Sequence, residues 1–116
     1  MFVKLLSQLL NRGEKTVIKL FGALVDTAGR CVHYHSNLDV VALKCAQCQR
    51  YYACYQCHDA AEDHHFKAMA KTDPAPVLCG NCGHTLTFTQ YHQGHCAYCQ
   101  HAFNPKCSLH EGIYFN

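Results

Sequence analysis

The sequence predicts a small, metal-nucleated α+β domain with short strands, one main helix and many loops. Three observations predict it. Ten of the 116 residues are Cys and ten are His. Eight of the cysteines form four Cys-x-x-Cys pairs, Cys45/Cys48, Cys54/Cys57, Cys79/Cys82 and Cys96/Cys99. Regular segments are short, and a chain of this size buries a modest core that often needs staples. The length leaves room for one domain.

The elements can be justified in chain order. Phe2, Leu5, Leu6, Leu9 and Leu10 recur at helical spacing, with Lys4, Ser7, Gln8 and Asn11 opposite and Gly13 as a stop. This marks residues 1–15 as an N-terminal amphipathic segment. It can pack on the domain, trail as a tail, or meet a partner or a membrane surface. The domain itself is expected over 16–116. Thr16–Val25 is β-branched and apolar and reads as a strand, and 26–29 carries turn chemistry. Leu38–Leu43 is a short apolar run leading into Cys45, and Tyr51 and Tyr52 read as strand residues before Cys54.

Asp59–Lys71 is the main helix candidate. It lacks Gly and Pro, begins at a capping Asp, and has acids early and lysines late, with Pro74 and Pro76 beyond its end. Thr85–Tyr91 alternates and reads as a strand turning at Gln93-Gly94. The tail, with Phe103, Ile113, Tyr114 and Phe115, is apolar enough to dock on the domain.

Composition excludes several classes. The chain is neither Gly-periodic nor strongly charged, so it is not collagen-like or disordered. No stretch of about 18 apolar residues could span a bilayer. Net charge is +2 with His neutral, and Lys and Arg are scattered. Nine thiolates with three divalent ions would move the charge to about −1. Attraction to nucleic acid is therefore not expected.

The staples could be disulfides or metal. Ser7 and Gln8 interrupt the first apolar run and no small-residue cleavage site follows, so the start is a poor secretory signal. A cytoplasmic location is expected, where thiols stay reduced and Cys-x-x-Cys pairs bind zinc. In that spacing a tight turn aims two sulfurs at one tetrahedral ion, each at about 2.3 Å. Cys79/Cys82 and Cys96/Cys99, thirteen residues apart, would pass alone as a zinc ribbon. Cysteine density favours His33, His58 and His64 as further ligands. His35, His84, His92, His95 and His101 have no equally clear partner and read as non-ligands.

One segment also fits other chemistry. Cys54-Tyr55-Gln56-Cys57-His58 matches the c-type haem attachment pattern, with Met69 as a conceivable axial ligand. Haem attachment needs export and would strand eight other cysteines. A thioredoxin-like redox pair would need a βαβ frame that the sequence does not offer. Neither the HExxH pattern nor the HxE…PCxxC pattern of zinc deaminases occurs, so no enzyme activity is expected. Glu62 and Asp63 beside His64 could support a ligand or simply be a solvated helical turn.

Taken together, Cys31-Val32-His33-Tyr34, Cys45 and Cys48, CYQCHD at 54–59, EDH at 62–64, LCGNC at 78–82 and CAYC at 96–99 resemble the CHY-type zinc finger. The ending, FNPKCSLH and IYF, is similar to small bacterial members that stand alone. The resemblance covers about residues 18–116. It implies three zinc ions with interleaved ligands: Cys31, His33, Cys54 and Cys57 on one, Cys45, His58, Cys79 and Cys82 on a second, and Cys48, His64, Cys96 and Cys99 on a third. The grouping disagrees with the ribbon that spacing suggests. EDH selects His64 over His65. Cys107 and His110 lie outside the twelve.

What the resemblance implies about function is a zinc-binding protein with structural sites, four protein ligands each, acting as a protein-interaction module on an unnamed protein partner. In eukaryotic ubiquitin ligases a similar domain accompanies a RING finger, and no RING follows here. The alternative is a zinc-transfer or thiol-handling helper of Cys-rich proteins, since a fungal relative assists small Cys-rich proteins of mitochondrial import.

Overall fold

The computed structural model describes residues 18–116, with the side chains of 106–108 left aside. The expected helix at 2–10 and the boundary at residue 15 lie outside the described residues. Among the described residues, five strands form one sheet: β1 Leu20–Phe21, β2 Val41–Lys44, β3 Tyr51–Tyr52, β4 Val77–Cys79 and β5 Thr85–Leu86. Their order across the sheet is β1-β3-β2-β4-β5. The β1–β3 pair is parallel and the other pairs are antiparallel.

Alternation along β2 and β4 sorts the core onto two faces. Val41 pairs with Cys79 and Leu43 with Val77, and these pack with Leu86, Phe103, Tyr114 and Phe115. Ala42 pairs with Leu78 and packs on the other side with Tyr51, Ile18 and Leu20. The C-terminal tail closes the first face. After a 3₁₀ turn at Pro105–His110 and a short helix, α3 Glu111–Tyr114, the Tyr114 carbonyl accepts from Met69 N–H and Asn116 N–H donates to the Met69 carbonyl.

Three expected elements are corrected. Of the strand expected over 16–25, residues 16 and 17 lie outside the described residues; the rest joins the sheet at Leu20–Phe21 and makes a separate bridge from Leu24 to Cys31, because Gly22 (φ 146°) turns the chain out of the ladder. A Cβ there would lie 3.2 Å from both the Ala53 Cβ and the Cys57 sulfur, so glycine lets the backbone pass a cluster cysteine. The main helix, α1, is Tyr55–Ala61, not 59–71. It starts early because the Cys54 sulfur caps it, accepting from Cys57 N–H at 3.4 Å. It stops at Glu62 because Asp59, inside the helix, reaches forward to accept from Phe66 N–H at 2.8 Å and bends the following chain back. The strand expected over 85–91 is β5 followed by the helical turn α2, Phe88–Tyr91, which a Thr87/Gln90 capping box opens.

Candidate metal centres

Three of the four Cys-x-x-Cys pairs share one backbone shape. In each, the residue after the second cysteine has positive φ: Gln49 60°, Gly83 85°, Gln100 68°. Its N–H donates to the first cysteine's carbonyl, at 2.8, 2.7 and 3.0 Å for Gln49, Gly83 and Gln100. The first cysteine's N–H donates onward to Arg50, His84 and His101 carbonyls respectively. These are three zinc knuckles built alike. The fourth pair, Cys54/Cys57, is the first turn of α1 instead.

All twelve side chains singled out in the sequence fall into three groups of four, and within each group the candidate ligand atoms lie within 4.8 Å of one another. The first group is Cys31, His33, Cys54 and Cys57. His33 Nδ1 lies 3.9, 3.4 and 3.5 Å from the three sulfurs, and Cys31 and Cys54 sulfurs are 3.7 Å apart. A tetrahedral zinc would set such edges at about 3.6–3.8 Å. The sulfur-bearing residues are buried and His33 is exposed. Burial pushes the Cys54 thiol up.

The second group is Cys45, Cys48, His58 and His64. His58 and His64 present Nε2 atoms 3.2 Å apart, and His64 Nε2 is 3.7 Å from the Cys45 sulfur. Each histidine turns its other nitrogen to a carboxylate: His58 Nδ1 to Asp59 at 2.9 Å, His64 Nδ1 to Asp63 at 3.2 Å. That arrangement fixes the ring and leaves Nε2 free to bind a metal. Burial raises the Cys45 thiol, yet hydrogen bonds from Cys48 N–H, Lys67 N–H and the His64 ring outweigh it and hold it at about 6. Asp63 thus supports a ligand. Glu62 instead accepts from the Tyr52 hydroxyl and pairs with Arg50. Asp59 was missed in the sequence; its signal is an acid directly after a ligand histidine.

The third group is Cys79, Cys82, Cys96 and Cys99. Cys79 and Cys99 sulfurs are 3.8 Å apart and Cys82 and Cys96 sulfurs 3.7 Å. Burial raises the Cys99 thiol, but the Asn81 amide, the His101 N–H and the neighbouring cysteines together outweigh it and bring it down to about 6.

The structure overturns part of the implied grouping. The first set stands as the resemblance gives it, but Cys79 and Cys82 join Cys96 and Cys99, as spacing alone suggests, and His58 joins His64. A knuckle's two sulfurs leave one tight turn in the same direction, so splitting a pair between ions would require unwinding it. The first two sites remain interleaved in sequence, because Cys45 and Cys48 lie between the halves of the first. His65 falls outside, its ring almost fully exposed and 3.2 Å from Asp59. His84 is also outside the groups, although its Nδ1 lies 3.4 Å from the Cys82 sulfur. Met69 is buried in the core beside Phe115, not at a metal cluster.

The donor sets fit zinc: sulfur and imidazole only, four per group, at tetrahedral edge lengths. A family model described as CHY zinc finger matches residues 31–109. The chain belongs to the CHY zinc finger family. Three CHY sites for zinc are consistent with its three clusters. Among relatives, an uncharacterized protein of Schizosaccharomyces pombe is 50% identical over 99 residues, covering 83% of this chain and 88% of that one. Helper of Tim protein 13 of Saccharomyces cerevisiae is 37% identical over 103 residues, covering 83% and 89%. Helper of Tim protein 13 of Kluyveromyces lactis is 40% identical over 101 residues, covering 84% and 88%. These CHY relatives are fungal, so the bacterial likeness finds no support. No described helix is long and apolar enough to cross a membrane.

Proposed function

We propose that this CHY protein is a zinc-handling helper of Cys-rich client proteins, acting through direct protein contact. The observation that carries the reading is co-extension. Two relatives named as helpers of Tim match more than four fifths of this chain and of themselves. A match over nearly the whole length supports reading a similar role here.

The site chemistry supports a non-catalytic role. Each group supplies four donors, which fills a tetrahedral zinc and leaves no position for a reacting water. Thiolate ligands can instead pass zinc to, or accept it from, thiols of a partner, and zinc so placed keeps thiols from pairing as disulfides. The reading places the protein in a reducing compartment such as the cytoplasm, where thiols stay available to bind zinc. The near-neutral charge argues for a protein partner over nucleic acid.

The test mixes the zinc-loaded protein with a reduced, zinc-free peptide carrying two Cys-x-x-Cys pairs. The expected result is zinc on the peptide and slower air oxidation of its thiols than with buffer alone. A passive interaction module would leave both unchanged, and that outcome would sink the helper reading.

A further inference from the structure

The three clusters differ in ways that bear on exchange. In the first, all three cysteines are buried, at 1, 2 and 4% exposure for Cys31, Cys54 and Cys57. In the second, Cys45 is fully buried and Cys48 half-buried, and two histidines replace thiolates. In the third, both Cys82 and Cys99 are half-buried, and the residues around them, Asn81, Gly83, His84, Ala97 and Tyr98, are exposed.

Charge also sets the third site apart from the other two. Four thiolates around one divalent ion leave a formal charge of about −2, whereas three thiolates leave about −1 and two leave none. The third site's sulfurs are therefore the most electron-rich. The chain that builds it offers little to offset this, since residues 74–105 contain no Lys, Arg, Asp or Glu. Beyond the Asn81 amide, which donates to the Cys99 sulfur at 3.4 Å, it offers one ring pair on the Cys82 side. The His84 and Tyr98 rings stack at 4.2 Å with 10° between planes, Tyr98 is 53% exposed, and His84 Nδ1 meets the Cys82 sulfur at 3.4 Å.

Resting on the helper reading, we propose that the Cys79/Cys82/Cys96/Cys99 site is where this protein exchanges zinc, that Cys82 and Cys99 are the sulfurs a client meets first, and that His84 restrains Cys82. The step is a ligand substitution without oxidation. A client thiol forms a sulfur–zinc bond as the bond to Cys82 or Cys99 breaks, and the client's proton passes to the released thiolate. Repeating it hands over the ion. Stacking on Tyr98 pins the His84 ring, so its N–H stabilises the Cys82 thiolate and slows departure. The first two sites keep their ions and hold the fold meanwhile.

The experiment uses the full chain with three zinc ions and Cys107→Ser, so that the tenth cysteine cannot confuse labelling. A zinc-free two-cysteine, two-histidine finger peptide is the acceptor. Aliquots are pulsed with N-ethylmaleimide and mapped by peptide mass spectrometry, with zinc counted by native mass spectrometry. One ion should move first, with new labels at Cys82 and Cys99 while Cys31, Cys45, Cys54 and Cys57 stay protected. His84→Ala should transfer about fivefold faster, the equivalent of one lost hydrogen bond, and His92→Ala at the wild-type rate. First labels at Cys45 and Cys48, or at Cys31, Cys54 and Cys57, would overturn the inference and leave the helper reading intact. Equal rates for the two histidine variants would overturn the role of His84. Failure of any ion to reach the peptide would overturn the helper reading itself.

Discussion

His64 and His65 are neighbours with opposite fates, and local geometry decides between them. The His64 ring is braced by Asp63 and points Nε2 at Cys45 and His58, whereas the His65 ring is in solvent. His64→Ala is expected to lower the zinc count from three to two, and His65→Ala to leave it at three, by native mass spectrometry. Loss of zinc only in the second would reverse the assignment. A second residue-scale effect lies in the knuckles. Gln100 holds a left-handed conformation that costs an L-residue about 1 kcal/mol, and the matching position in the neighbouring knuckle is Gly83. Gln100→Gly should therefore stabilise the zinc-loaded protein by about 1 kcal/mol, read as a higher melting temperature. Gln49→Gly should gain less, because the Gln49 side chain donates to the Ala46 carbonyl at 2.7 Å, whereas the matching bond from Gln100 to the Ala97 carbonyl is long, at 3.5 Å.

At the scale of elements, zinc geometry overrides local propensity. Helix α1 is placed by Cys54 and ended by the need to bring His64 back to His58, so the helical composition of 62–71 yields to loop. Metal-binding residues were legible in the sequence because Cys and His announce their chemistry and a knuckle has a fixed spacing. Their grouping was legible for the four-cysteine site, where spacing suggests a ribbon, but not for the other two, since Cys45 lies thirteen residues before His58 and no spacing rule says which ion receives a lone histidine. The Thr87-x-x-Gln90 capping box was present as a signal, and the alternation of 85–91 masked it. Asp59 ties these elements together, orienting His58 and accepting from Phe66 N–H. Asp59→Ala should weaken zinc at the second site about 10- to 100-fold, measured by chelator competition. An unchanged affinity would mean that His58 needs no brace. Gly80 provides another tie. A Cβ on it would lie 1.9 Å from the Ala28 carbonyl oxygen, so Gly80→Ala must push the third site's knuckle away from the loop that leads into Cys31.

Over the whole molecule, the sites are linked unequally. Cys57 and His58 are consecutive on α1, and they serve different clusters. Consecutive side chains diverge by about 100° on a helix, which lets one peptide bond serve two ions. Tyr52 reinforces this junction, packing edge-on to His58 at 5.0 Å on one side and against Phe21 at 5.4 Å on the other. The third site shares no ligand segment with either. It joins them through the β2–β4 ladder and the Gly80 contact. Because ligands of the first two sites come from separate chain segments, zinc affinity there is part of the folding free energy, of order 10 kcal/mol per structural site. His58→Ala should therefore remove the second ion and loosen the first, while the four-cysteine site keeps its zinc. The expected readout is a count of two or fewer by native mass spectrometry, a lower melting temperature, and N-ethylmaleimide labelling that appears at Cys45, Cys48 and Cys57 before Cys79 and Cys96. If the variant keeps three ions and melts like the wild type, His58 is not a ligand. If instead the third site empties with the second, the sheet couples all three, and the division into a paired centre and a separate one is wrong.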